Sequence, residues 1–130
     1  MALEHIHMLG RAYLDNPPLT AAEGDAWLKG LVTAIEMKTL AGPYSILCDV
    51  IGNEGVTGVI LLTTSHASFH CWHMAERPFM TFDVYSCMEF SPEAVIESMS
   101  VFEPNEIHYT VYDRSGETVE IDRDTVVPIK

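Results

Sequence analysis

At 130 residues, 48% of them apolar and 20% charged, the chain fits one globular domain spanning residues 1–130. Nineteen acidic residues against seven basic give a formal net charge of −12, which repels nucleic-acid phosphates and sets that class of partner aside. No apolar run is long enough to cross a bilayer, and the opening MALEHIHMLG lacks the basic start and apolar stretch of a signal peptide, so a cytoplasmic protein away from membranes is expected.

Residues 5–14 alternate loosely and read as a strand, broken by Asn16-Pro17-Pro18 because proline fixes φ and removes a donor. From Thr20 to Leu40 the apolar positions Trp27, Leu28, Leu31, Ile35 and Leu40 recur near a helical period. Thr20 is the candidate N-cap, Glu23 would complete a capping box, and Gly42-Pro43 would end the helix. Residues 44–51 and 56–64 read as strands around the turn Gly52-Asn53-Glu54-Gly55. Residues 67–72 and 79–87 continue as strands, with His73 to Pro78 between them. Ser91-Pro92-Glu93 opens a second helix, serine as cap and proline at its first position, running to about Phe102. Residues 107–112 and 119–121 form a closing hairpin around Arg114-Ser115-Gly116-Glu117. The order β-α-β-β-β-β-α-β-β, with tight turns between consecutive strands, predicts an α+β two-layer sandwich: a mainly antiparallel sheet with two helices on one face. The other face needs a cover, and a second copy of the chain is the simplest candidate.

Cys48, Cys71 and Cys87 are odd in number and widely spaced, so they imply neither a disulfide framework nor a paired metal site. His66, His70 and His73 invite a zinc reading, but His66 and His70 lie far apart on a strand and no acidic or cysteine ligand stands at a matching offset. No metal is expected.

The informative stretch is Gly55 to Cys87, GVTGVILLTTSHASFHCWHMAERPFMTFDVYSC. Its three elements are Gly55-Val56-Thr57-Gly58-Val59, then Ser65-His66 with His70 and Trp72, then Asp83-Val84-Tyr85-Ser86-Cys87. Together they resemble the signature of bacterial and archaeal S-adenosylmethionine decarboxylases: G-V-S-G-V, then E-S-H-x-x-x-H-T-W-P-E, then D-V-F-T-C-G. The spacing from Thr57 through Ser65 to His70 agrees with that pattern. A two-residue insertion placed at His73-Met74 brings Cys87 onto the family's cysteine and Glu76 onto its glutamate. The chain departs from the pattern at Thr57 for serine, Thr64 for glutamate and Met88 for glycine, at Cys71 and His73 on either side of Trp72, and near Ile51, where the family carries an aromatic.

The resemblance implies a pyruvoyl-dependent enzyme that cuts itself between Thr64 and Ser65, with Ser65 becoming the covalent pyruvoyl cofactor. In such enzymes a serine hydroxyl attacks the preceding carbonyl to give an ester, and a base then removes the serine Cα proton so that the ester leaves. By resemblance Thr57 is the oxyanion donor, His70 the processing base, Cys87 the proton donor in turnover and Glu76 a ribose ligand. The implied substrate is a small molecule, S-adenosylmethionine or a related amino acid, and the implied product an aminopropyl donor for spermidine synthesis. A homodimer is expected by the same analogy. The alternative is an uncleaved, non-catalytic relative acting as a ligand-binding or regulatory subunit, which Thr64, Ile51 and Met88 favour. On a straight strand Ser65 and His70 point to opposite faces, so the enzyme reading calls for a bend or bulge near Ser65 and His66.

Overall fold

The computed structural model describes residues 4–128. Seven strands form one antiparallel sheet: β1 (Ile6–Leu14), β2 (Thr39–Cys48), β3 (Gly55–Leu62), β4 (Ser65–Trp72), β5 (Phe79–Ser86), β6 (Pro104–Asp113) and β7 (Glu120–Pro128). Their spatial order is β2-β3-β4-β5-β1-β6-β7, so the first strand inserts between β5 and β6. Helix α1 (Ala21–Ala34) and helix α2 (Pro92–Ser98), the latter extended by a 3-10 turn at Met99–Phe102, cover one face. This is the α+β two-layer sandwich expected from the sequence.

Period-two burial makes the two faces. On β4, Ala67, Phe69 and Cys71 are buried under the helices while Ser68, His70 and Trp72 are half-buried on the open side. On β5, Met80, Phe82, Val84 and Ser86 point inward in the same way. Helix α1 lays Trp27, Leu28, Leu31 and Val32 onto this surface. The Trp27 ring meets Phe69 edge-on at 5.3 Å, and its indole N–H donates to Ser98 Oγ at 3.2 Å, tying α1 to α2.

Thr20 caps α1 as expected, its side chain accepting from the Glu23 amide at 3.1 Å. The Glu23 carboxylate closes the cap one residue earlier than a standard box, accepting from the Leu19 amide. The helix ends six residues before Leu40. Glu36 takes a left-handed φ of 58°, the Glu36 amide donates to Thr33 O, and the Met37 amide donates to Val32 O. That is a Schellman stop built without glycine. Leu40 instead lies exposed on β2, and Gly42-Pro43 sits within that edge strand as a cis peptide rather than ending a helix.

Gly55 opens β3 at φ 149°, and a Cβ there would lie 1.6 Å from the Cys71 carbonyl oxygen. The first glycine of the Gly55–Val59 element is therefore a condition for β3 and β4 to approach. Gly55→Ala is expected to destabilise the fold by at least about 2 kcal/mol in a denaturant titration; a change within about 0.5 kcal/mol would contradict this packing.

Candidate active site

Thr63 and Thr64 form the two-residue turn between β3 and β4, with Leu62 paired to Ser65 across it. Ser65 is half-buried and holds φ at 155°, a conformation that a side-chain-bearing residue adopts at a cost of order 1–3 kcal/mol. On its other side Ser65 pairs with Ser86, and the ladder adds one more rung: the Cys87 amide donates to the Thr64 carbonyl oxygen at 3.0 Å. Cys87 itself is exposed. One end of the sheet thus gathers the Thr64–Ser65 peptide, a backbone donor on its carbonyl and a cysteine.

Thr57 and His70 are direct cross-strand partners further along β3 and β4. They share a groove of about 750 Å³ on the open face with Leu9, Tyr44, Ile46 and Asp83. The Thr57 hydroxyl donates to the Phe69 carbonyl at 3.2 Å. The His70 ring lies 4.2 Å from that of Trp72, which stacks on Phe79 and donates its indole N–H to Asn53 Oδ1 at 2.8 Å. Burial lowers the His70 pKa, and a hydrogen bond with the Asn53 backbone pulls weakly the other way. His70 Nε2 is buried and finds no hydrogen-bond partner among the described residues. A neutral imidazole with an unengaged nitrogen suits a base.

The strand keeps these two clusters apart. The β4 register runs without a shift against both neighbours, so the bulge expected near Ser65 and His66 is absent. A central strand bonded on both edges would lose ladder bonds by bulging. Five residues separate Ser65 from His70, or roughly 17 Å at a strand's rise. Within one chain, Thr57 and His70 therefore do not reach the Thr64–Ser65 bond, and the group touching the Thr64 carbonyl is the Cys87 amide. Glu76 is exposed in the turn after β4, at the His70 end. Ile51 is 94% exposed in the turn before β3.

The motif reading gave no role to three further open-face residues, Asp83, His7 and Arg114. Asp83 accepts a short hydrogen bond from His7 Nε2 and a longer one, 3.4 Å, from the Ser68 hydroxyl. Arg114 Nη1 lies 3.1 Å from His7 Nδ1. A guanidinium only donates, so His7 Nδ1 is the acceptor of this bond. Asp83 belongs to the third sequence element, but its partner His7 lies far away near the start of the chain and no local spacing announces it.

A family model described as S-adenosylmethionine decarboxylase matches residues 21–115. The S-adenosylmethionine decarboxylase proenzyme of Hydrogenobaculum sp. (strain Y04AAS1) is 31% identical over 116 residues, covering 84% of this chain and 80% of that protein. The crystal structure of the adenosylmethionine decarboxylase from Aquifex aeolicus VF5 is similar in fold, with a TM-score of 0.69 and 24% identity over 91% of this chain and 96% of that one.

In the Ser65→Ala chain, His70 is expected to titrate below the ordinary histidine value of 6.5 when followed by NMR. A midpoint above that value would contradict the burial that lowers it.

Proposed function

The chain belongs to the S-adenosylmethionine decarboxylase family, and from that premise we propose that it is a pyruvoyl-dependent S-adenosylmethionine decarboxylase made as a self-cleaving proenzyme. The observation that carries the reading is the 3.0 Å hydrogen bond from the Cys87 amide to the Thr64 carbonyl, next to a serine held at positive φ. Ser65 Oγ attacks the Thr64 carbonyl carbon, the Thr64–Ser65 C–N bond breaks, and the hydroxyl proton passes to the freed amine. The chain is then joined through an ester. Negative charge develops on the oxygen that already accepts from the Cys87 N–H, the arrangement that stabilises acyl transfer. Backbone strain at Ser65 is relieved as the peptide bond opens.

His70 Nε2 next takes the Ser65 Cα proton, the Thr64 carboxylate leaves by elimination, and hydrolysis of the new N-terminus releases ammonia. The resulting pyruvoyl group supplies the electron sink for breaking a bond to a carboxylate. The Cys87 thiol, exposed just after β5, protonates the product carbon, and Glu76 accepts hydrogen bonds from the substrate's sugar hydroxyls. The product serves as an aminopropyl donor for spermidine synthesis.

The separation along β4 makes a homodimer part of this reading. Two copies packed through their open faces would bring Thr57, His70 and Glu76 of one chain to the strand end that carries Cys87 and the Thr64–Ser65 bond of the other, where the positive φ at Ser65 departs from regular strand geometry. Supporting this, the open face exposes Leu9, Tyr44, Ile46 and Leu61, and its groove holds the unengaged His70 Nε2.

Complementation tests the composite site. Ser65→Ala and His70→Ala chains each stay uncut alone. When co-expressed, they are expected to form a mixed dimer with one intact site, so that the His70→Ala chain is cut on a denaturing gel. No cleavage in the mixture, when wild type cleaves, would contradict a site shared between copies.

A further inference from the structure

Ser86 is the one buried polar side chain among the described residues, and it is fully enclosed. Its hydroxyl accepts from the Met88 amide at 2.9 Å and donates to Thr64 Oγ1 at 3.1 Å. The Thr64 hydroxyl in turn donates to the Met37 sulfur at 3.2 Å, and Ser86 Oγ lies 3.8 Å from the same sulfur. An amide N–H can only donate and a thioether can only accept, so the hydrogen bonds run from the Met88 amide towards the Met37 sulfur. The line runs from Met37, in the segment between α1 and β2, through the residue before Ser65, to the loop after β5.

Its position is more telling than its burial. Ser86 is the ladder partner of Ser65, and the next rung is the Cys87 amide on the Thr64 carbonyl. The Ser86 hydroxyl grips the residue after Cys87 and the side chain of Thr64 at once. Thr64 is thereby held at both its carbonyl oxygen and its hydroxyl, which removes the freedom of its carbonyl to turn away from the Cys87 N–H. An alanine would fill this part of the core without the desolvation penalty of a hydroxyl.

Resting on the self-cleavage reading above, we propose that Ser86 is a positioning residue for the first step of cleavage. Its hydroxyl, through Thr64 Oγ1 and the Met88 amide, keeps the Thr64 carbonyl seated on the Cys87 N–H while Ser65 Oγ attacks. Thr64 is the matched half of this clamp, a hydroxyl that accepts from Ser86 Oγ and donates to the Met37 sulfur. The role belongs to the ester-forming step, before His70 acts.

The test follows self-cleavage of full-length wild type, Ser86→Ala and Ser86→Thr on denaturing gels, with and without hydroxylamine, which cuts an ester at Thr64 but leaves an amide intact. Ser86→Ala is expected to cleave at least about tenfold more slowly, and its uncut chain to resist hydroxylamine because the block precedes the ester. Ser86→Thr, which keeps the hydroxyl, is expected to recover most of the rate. Hydrogen exchange in the uncleaved Ser65→Ala chain separates positioning from folding: adding Ser86→Ala should speed exchange at the Cys87 amide at least about tenfold while the Met8 amide in β1 is unchanged. Wild-type cleavage beside an unaffected Ser86→Ala, a hydroxylamine-sensitive Ser86→Ala chain, or equal acceleration at Met8 overturns the positioning role alone. A wild-type chain that never cleaves overturns the self-cleavage reading and this role with it.

Discussion

Everything chemical in this chain hangs on the unbroken antiparallel register of β3, β4 and β5. The two-residue turn at Thr63 and Thr64 sets Ser65 opposite Leu62, and from there each rung is determined: Thr57 opposite His70, Ser65 opposite Ser86, Thr64 opposite Cys87. A slip by one residue would turn His70 into the helix layer and Phe69 onto the open face. The same register places a backbone N–H on the carbonyl that the proposed cleavage attacks and holds the candidate base roughly 17 Å away. A sheet that makes the first arrangement cannot avoid the second.

The helix layer defends that register. Gly55 lets β3 approach the Cys71 carbonyl, Trp27 bridges Phe69 and Ser98, and Ser86 joins Met37, Thr64 and Met88 beneath the β3–β4 turn. Burial also divides the cysteines. Cys71, packed under the helices, has its thiol pushed up to about 12 by desolvation and serves as a core residue, whereas Cys87 is exposed beside Ser65. On the open face, charge and aromatic rings are organised across strands, with His7 between Asp83 and Arg114, and Arg114 over the Tyr85 ring at 4.5 Å.

The element order was legible because tight turns and prolines punctuate the chain, and the Ser91 cap with Pro92 marked α2 correctly. The end of α1 was not legible, since its Schellman stop uses Glu36 where the usual signal is glycine. Strand β7 was read as a fragment because Glu120–Pro128, rich in acids on a sheet edge, lacks clear alternation. At the site, Ser65, His70 and Cys87 stood out through the resemblance of their stretch to the decarboxylase signature. The donor that meets the Thr64 carbonyl is a main-chain amide, which no residue type advertises. Opposite facing of Ser65 and His70 was visible from strand parity alone. Of the bend or bulge expected near Ser65 and His66, the β4 register shows no bulge, and the backbone irregularity there is the positive φ of Ser65.

The central claim is that this chain cuts itself at one peptide bond, and an intact mass spectrum of the purified wild-type protein under denaturing conditions tests it most directly. The account predicts two fragments meeting at Thr64 and Ser65, the second lighter than its plain sequence by one ammonia. A single chain of full mass that persists through long incubation would contradict it and point to an uncleaved relative that keeps the fold.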